Sequence, residues 1–111
     1  MDSTMILHRL MDVIRDRKRN PPPKSYTTSL FAGGTEKIGG KILEEAQEVV
    51  AAARESGQAG EAHLVHEAAD LVFHLMVMLG YRDLEWPAIE QELARRFGIS
   101  GIDEKASRGI S

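Results

Sequence analysis

Residues 64–79 read LVHEAADLVFHLMVML. Wound as a helix at about 100° per residue, this stretch points apolar side chains in nearly every direction. It leaves one stripe, about 60° wide, that carries His63, Glu67, Asp70 and His74. A helix apolar on almost all sides belongs in the middle of a bundle, which draws its acidic stripe inward. Buried carboxylates without partners are costly, so they neutralise, pair with cations or bind metal. One segment thus predicts both the fold class and the place of the chemistry.

Working outward, this third helix begins near Glu61 and ends about Tyr81. It follows Gly57-Gln58-Ala59-Gly60, which is read as the break after the second helix. The second helix is placed from about Gly40 to Ser56, because Gly33-Gly34 and Gly39-Gly40 each weaken a helix by about 1 kcal/mol per glycine relative to alanine. Before it, residues 25–31 form a short helical turn capped by Ser25 and closed by Gly33-Gly34. The first helix covers residues 5–17 on Ile6, Leu7, Leu10, Val13 and Ile14, with Ser3 or Thr4 as cap, and Asn20-Pro21-Pro22-Pro23 stops it. A fourth follows Pro87, with Ile89, Leu93 and Phe97 in register, and ends at Gly98. No strand-like alternation or internal repeat is present. The expectation is an all-α bundle of four to five helices: one domain over residues 1–98 and a polar tail over 99–111.

With 111 residues the chain holds one small core. The absence of Cys excludes disulfides, thiolate metal sites and Cys nucleophiles. The net charge of −3 argues against nucleic-acid binding, which needs a basic surface. The longest apolar run, residues 71–79, is far short of the roughly 18–20 needed to span a bilayer, and no secretory signal is evident. Neither a membrane nor a nucleic-acid partner is expected, and the compartment expected is the cytoplasm. Few aromatic residues are available, so an aliphatic core completed by a second copy, a homodimer, is expected.

The second helix supplies a partner for the acidic stripe. Glu44, Lys37, Glu48, Lys41 and Glu45 fall within one arc of about 100°, and Ile38, Ile42, Leu43, Ala46, Val49, Val50 and Ala53 fill the adjoining arc. Alone, such a face reads as a solvated set of weak ion pairs. Set beside Glu67 and Asp70, it gives five carboxylates against two lysines. That excess of hard oxygen donors suits a divalent cation, Mg²⁺ or Mn²⁺ rather than zinc. His63 and His74 read as packing or supporting residues, and nothing in the sequence singles out His8 or His66. The glycine-lysine stretch is no P-loop, since Thr35 and Ile42 stand where glycine and Ser/Thr are required.

The strings Lys41-Ile42-Leu43-Glu44-Glu45-Ala46-Gln47-Glu48 and Glu67-Ala68-Ala69-Asp70 resemble the EExxE…ExxD signature of the all-α nucleoside-triphosphate pyrophosphohydrolases, the MazG-like superfamily. Within it the chain most resembles the phosphoribosyl-ATP pyrophosphohydrolase family. Arg17-Lys18, Ser25-Tyr26-Thr27, the turn containing Gly33, Lys37-Ile38, Leu93 with Arg96, and the ending from Ser100 to Arg108 carry that narrower likeness, which covers residues 5–108. The resemblance implies a dimeric helical bundle that hydrolyses the α–β phosphoanhydride of phosphoribosyl-ATP to phosphoribosyl-AMP and pyrophosphate, the second step of histidine biosynthesis. It implies Glu45, Glu48, Glu67 and Asp70 as metal ligands and Glu44 as a further ligand or the base that orients water. Lys41 and Lys37 would hold phosphate oxygens. Tyr26 would stack on a base, bond a ribose or simply pack, and Arg17 and Lys18 would meet the ribose 5-phosphate end. Two other readings compete: a house-cleaning pyrophosphohydrolase of free (d)NTPs, and a non-catalytic helical interaction module whose acids form a structural polar layer.

Overall fold

The computed structural model describes residues 5–98, which fold as four helices: α1 (Ile6–Arg19), α2 (Tyr26–Ala53), α3 (Gly57–Tyr81) and α4 (Trp86–Phe97). The expected all-α class holds. The proposed Ser3/Thr4 cap and the tail 99–111 lie outside the described residues. α2 and α3 form a long hairpin, α1 packs against both of them, and α4 rests on α1. The core is Met11 and Ile14 of α1, Leu30 and Ile38 of α2, and Met76 and Val77 of α3.

α2 departs from the sequence reading. It starts at Tyr26 behind Ser25, whose Oγ accepts the Thr28 N–H at 3.2 Å, as a helix N-cap should. It then runs through Gly39 and Gly40 without interruption. Ile38, fully buried, and Ile42, packed on the core, anchor the helix on both sides of that pair. Their burial exceeds a propensity cost of about 1 kcal/mol per glycine. The real break is at Gly34 (φ 66°, ψ −160°), a backbone region open essentially to glycine alone. The kink separates the turn that bears Tyr26 from the segment 35–53, so Lys37 stands on the same straight helix as Glu44, Glu45 and Glu48.

The α2–α3 turn is also earlier and tighter than expected. α2 ends at Ala53, not Ser56, and α3 begins at Gly57, not Glu61, so 57–60 opens a helix and does not separate two. Gly60 is buried there, and a Cβ on it would stand 2.8 Å from the Glu55 carbonyl, which only the missing side chain allows.

α3 buries Glu67 and His74 among its apolar residues, as its stripe predicts. It is not enclosed by one chain, however: Val65 is 69% and Leu75 41% exposed. Three neighbouring helices are too few to surround a helix apolar on every side. Averaged over its best window α3 reaches a mean hydropathy of 1.3, so this one helix is long and apolar enough to cross a membrane, which uninterrupted runs alone did not reveal. α4 begins with Trp86-Pro87, ends at Phe97 with Gly98 as its C-cap, and buries no residue fully. It is tied to α1 by Arg15–Glu85 and by His8–Glu90, the latter at 3.1 Å.

Candidate active site

The facing sides of α2 and α3 bring the acids of both helices together. Glu45 (7% exposed) and Glu67 (9%) are buried against each other. Burial pushes the Glu45 carboxyl above its ordinary value; hydrogen bonding with Glu67 and the charges of Asp70 and Glu67 add to the rise, and Lys41 opposes it. Crowding of this kind is relieved by a proton or a cation.

Two groups of donors, each within 4.8 Å of one another, lie along this seam: Glu48, His63 and Glu67, and then His66, Glu67 and Asp70. Glu67 belongs to both. Four of the five expected acids therefore converge, with Glu45 joined through Glu67. Glu44 is the exception. It is exposed, lies outside both groups, and accepts from Lys41 Nζ at 3.3 Å.

The histidines of α3 lie among these acids. His63 has one ring nitrogen 3.3 Å from a Glu67 carboxylate oxygen and the other 2.9 Å from a Glu55 carboxylate oxygen. The Glu55 hydrogen bond, opposed by desolvation and helped by the charges of Glu55 and Glu67, raises its affinity for a proton. His66, which nothing in the sequence singled out, reaches Asp70 at 3.3 Å, and His8 reaches Glu90. The signal for His66 was its four-residue spacing from Asp70, which places both on one helical face.

Lys41 lies between Glu44 and Glu45, 3.8 Å from the latter. Its bond to Glu44 holds its ammonium charged against the effect of burial. Lys37 is exposed, with its stem over Gly33, where a Cβ would collide with the Lys37 side chain.

Tyr26 borders the acids from the far side of the kink. Its hydroxyl is 2.8 Å from His74 Nε2, and its ring stacks on Phe73 at 6.4 Å. Burial raises its pKa, and Glu45, Glu44 and Asp70 raise it further against Lys41, so it stays a neutral phenol. Tyr26 also lines an open cavity of about 660 Å³ with Arg17, Pro22, Pro23, Lys24 and Ser25. Lys24 is an addition that the sequence reading lacked.

The Arg17-Lys18 pair splits. Arg17 faces that cavity. Lys18 turns away to the C-terminal end of α3, donating to the Tyr81 carbonyl at 2.9 Å and to Asp83 Oδ1 at 2.7 Å, with its Nζ 5.7 Å from the Tyr81 ring centroid. A cation there satisfies helix-end carbonyls and meets the negative end of the helix dipole. Lys18, expected with Arg17 at the ribose 5-phosphate end, thus lies apart from the cavity that Arg17 lines.

Comparison with known proteins adds identity to geometry. The profile of the family described as Phosphoribosyl-ATP pyrophosphohydrolase matches residues 7–97. The chain is 49% identical over 107 residues to the phosphoribosyl-ATP pyrophosphatase of Rhodopirellula baltica, covering 96% of this chain and 89% of that one. It is 52% identical to that of Geotalea daltonii (93% and 94% covered) and 48% identical to that of Methylococcus capsulatus (95% and 97%).

Proposed function

The chain belongs to the phosphoribosyl-ATP pyrophosphohydrolase family, and from that premise we propose how its own residues carry the reaction. The reaction is hydrolysis of the α–β phosphoanhydride of phosphoribosyl-ATP to phosphoribosyl-AMP and pyrophosphate, the second step of histidine biosynthesis. Glu45, Glu48, Glu67 and Asp70 would hold Mg²⁺, or Mn²⁺ in its place. The observation that carries this assignment is Glu67: buried, pressed on Glu45, and common to both donor groups. A divalent cation held by these carboxylates would supply stabilisation of the charge that develops on the phosphates and activation of water.

The remaining roles follow from where each side chain lies. Lys41, held charged beside Glu44 and Glu45, binds phosphate oxygens as a point charge, and the exposed Lys37 on the same helix serves an outer oxygen. Glu44, outside both donor groups, is free to take the proton of the attacking water. Arg17 and Lys24 place two cations on the cavity beyond Tyr26, which suits the ribose 5-phosphate end of the substrate.

A homodimer is part of the same reading. Leu43 and Val50 of α2 and Val65 and Leu75 of α3 are 41–69% exposed. Two further hollows are wholly apolar: one of about 390 Å³ among Ile6, Leu7, Leu10, Ala68, Ala69, Val72 and Phe73, the other of about 200 Å³ among Leu75, Met78, Leu79, Trp86 and Ile89. Glu61, His63, His66, Glu67, Asp70 and His74 along α3 disfavour a lipid environment, so a second copy is the better cover for its apolar faces. A cytoplasmic enzyme with no membrane or nucleic-acid partner fits these features.

The deciding experiment compares pyrophosphate release from phosphoribosyl-ATP and from dNTPs by the purified protein with Mg²⁺. The expected result is a strong preference for phosphoribosyl-ATP. Comparable rates would favour general nucleotide house-cleaning, and no turnover of either with no Mg²⁺-linked rise in Tm would favour a non-catalytic module.

A further inference from the structure

Tyr26 and His74 are held in a chain of hydrogen bonds that fixes their direction. His74 is 4% exposed, and its Nδ1 lies 2.8 Å from the Asp70 carbonyl oxygen. A carbonyl oxygen can only accept, so Nδ1 carries the hydrogen. In the neutral ring Nε2 then has a free lone pair, and at 2.8 Å the Tyr26 hydroxyl must donate to it. The phenol's one hydrogen is thereby committed inward. What Tyr26 presents outward is an acceptor oxygen at the edge of the carboxylates, on a ring that is half exposed and packed on Phe73.

We propose that His74 is a positioning residue that locks the Tyr26 hydroxyl as a hydrogen-bond acceptor, and that this oxygen accepts from the 2′- or 3′-hydroxyl of the ribose that bears the triphosphate. The proposal rests on the phosphoribosyl-ATP reading above. Phosphate oxygens of the substrate have no hydrogen to give, so an acceptor here rejects them and leaves them to Lys41 and Lys37. Tyr26 feels the charges of Glu45, Glu44 and Asp70 and also lines the cavity of Arg17 and Lys24, and in the substrate a ribose likewise joins the triphosphate to the part that bears the distal phosphate. A hydroxyl also loses little if Tyr26 is missing, so the bond sets affinity and orientation and not the chemical step.

The first test is independent of turnover. Nitrogen-15 chemical shifts of His74 at pH 8 should show Nδ1 protonated and Nε2 bare; the opposite tautomer, or a ring protonated on both nitrogens, overturns the proposal. The second is kinetic. Tyr26→Phe should raise KM for phosphoribosyl-ATP by about 3–10-fold, the worth of one hydrogen bond, with kcat little changed. His74→Leu should raise KM similarly in the wild type but not further in Tyr26→Phe, while His74→Gln, which keeps an acceptor, restores most of the affinity. Additive effects of the two substitutions overturn the positioning role. Substrates made from 2′-deoxy- and 3′-deoxy-ATP complete the test: with one of them, wild type and Tyr26→Phe should have equal KM. A full Tyr26→Phe penalty on both refutes the sugar contact, whereas absence of wild-type turnover would refute the enzymatic reading and leave the tautomer result to decide the Tyr26–His74 geometry.

Discussion

Gly34→Ala tests whether the kink in α2 builds the site. The native backbone at this position (φ 66°, ψ −160°) lies in the region that side-chain-bearing residues avoid, at a cost of order 1–3 kcal/mol. The new Cβ would also stand 3.0 Å from the Tyr81 hydroxyl, a contact that forces one of them to move. Taking about 2 kcal/mol, a domain of this size should lose about 8–16 °C in Tm. The control is Gly40→Ala, where the backbone is helical and a Cβ meets nothing within 4 Å. There alanine should stabilise by about 0.5–1 kcal/mol, about 2–8 °C. Both variants are to be melted by circular dichroism at one fixed protein concentration, because an oligomer's Tm depends on concentration. If Gly34→Ala relieves its strain by straightening α2, Tyr26 leaves His74 and KM rises as well. A Gly34→Ala protein as stable as wild type, or a Gly40→Ala protein destabilised as much, would refute the placement of the break.

Other expectations concern the acids and the uncovered face. Glu48→Gln and Asp70→Asn should each lower kcat by at least about 100-fold while far-UV circular dichroism stays helical, since the acids are crowded and neither is needed for packing; unfolding of both would mark them as structural. Glu45 has a folded-state pKa above the unfolded one, so its contribution to stability is present below the usual carboxylate range and is lost as pH rises through the raised value. Metal-free protein in a chelator should therefore lose Tm as pH climbs from the ordinary glutamate value through that of Glu45, Glu45→Gln should flatten the loss, and added Mg²⁺ should reverse it; a pH-independent Tm contradicts the crowding. Sedimentation at micromolar concentration should give a dimer, and Val65→Glu should weaken it; a monomeric wild type would remove the proposed cover for α3.

The chemistry was more legible in the sequence than the helix boundaries were. Two acidic stripes at helical spacing are a local pattern, and helices preserve local spacing, so Glu45, Glu48, Glu67 and Asp70 could be placed on facing stripes without coordinates. The boundaries failed where tertiary packing overrode local preference. Gly39-Gly40 looks like a break until Ile38 is seen fully buried, while Gly34 adopts a conformation that no propensity announces. Lys18 and Arg17 are neighbours in sequence, yet about 100° apart around α1, and that angle alone sends one to the end of α3 and the other to the cavity. The link between Tyr26 and His74 joins residues 48 apart in sequence and was invisible to any reading by spacing.

The proposed metal site sets stability against function along α3. Its stripe toward α2 holds Glu67 where an aliphatic side chain would pack, and that carboxyl raises the proton affinity of Glu45 across the seam. Glu67→Gln should accordingly melt higher than wild type when no divalent ion is present, because it removes a like charge from a buried pair, yet it should lose both Mg²⁺-linked stabilisation and turnover. A purely structural polar layer predicts the reverse, since breaking a network that had been arranged for stability lowers Tm. The sign of that one Tm change, measured with a chelator at pH 8, separates a site arranged to receive a cation from a layer arranged to hold two helices together.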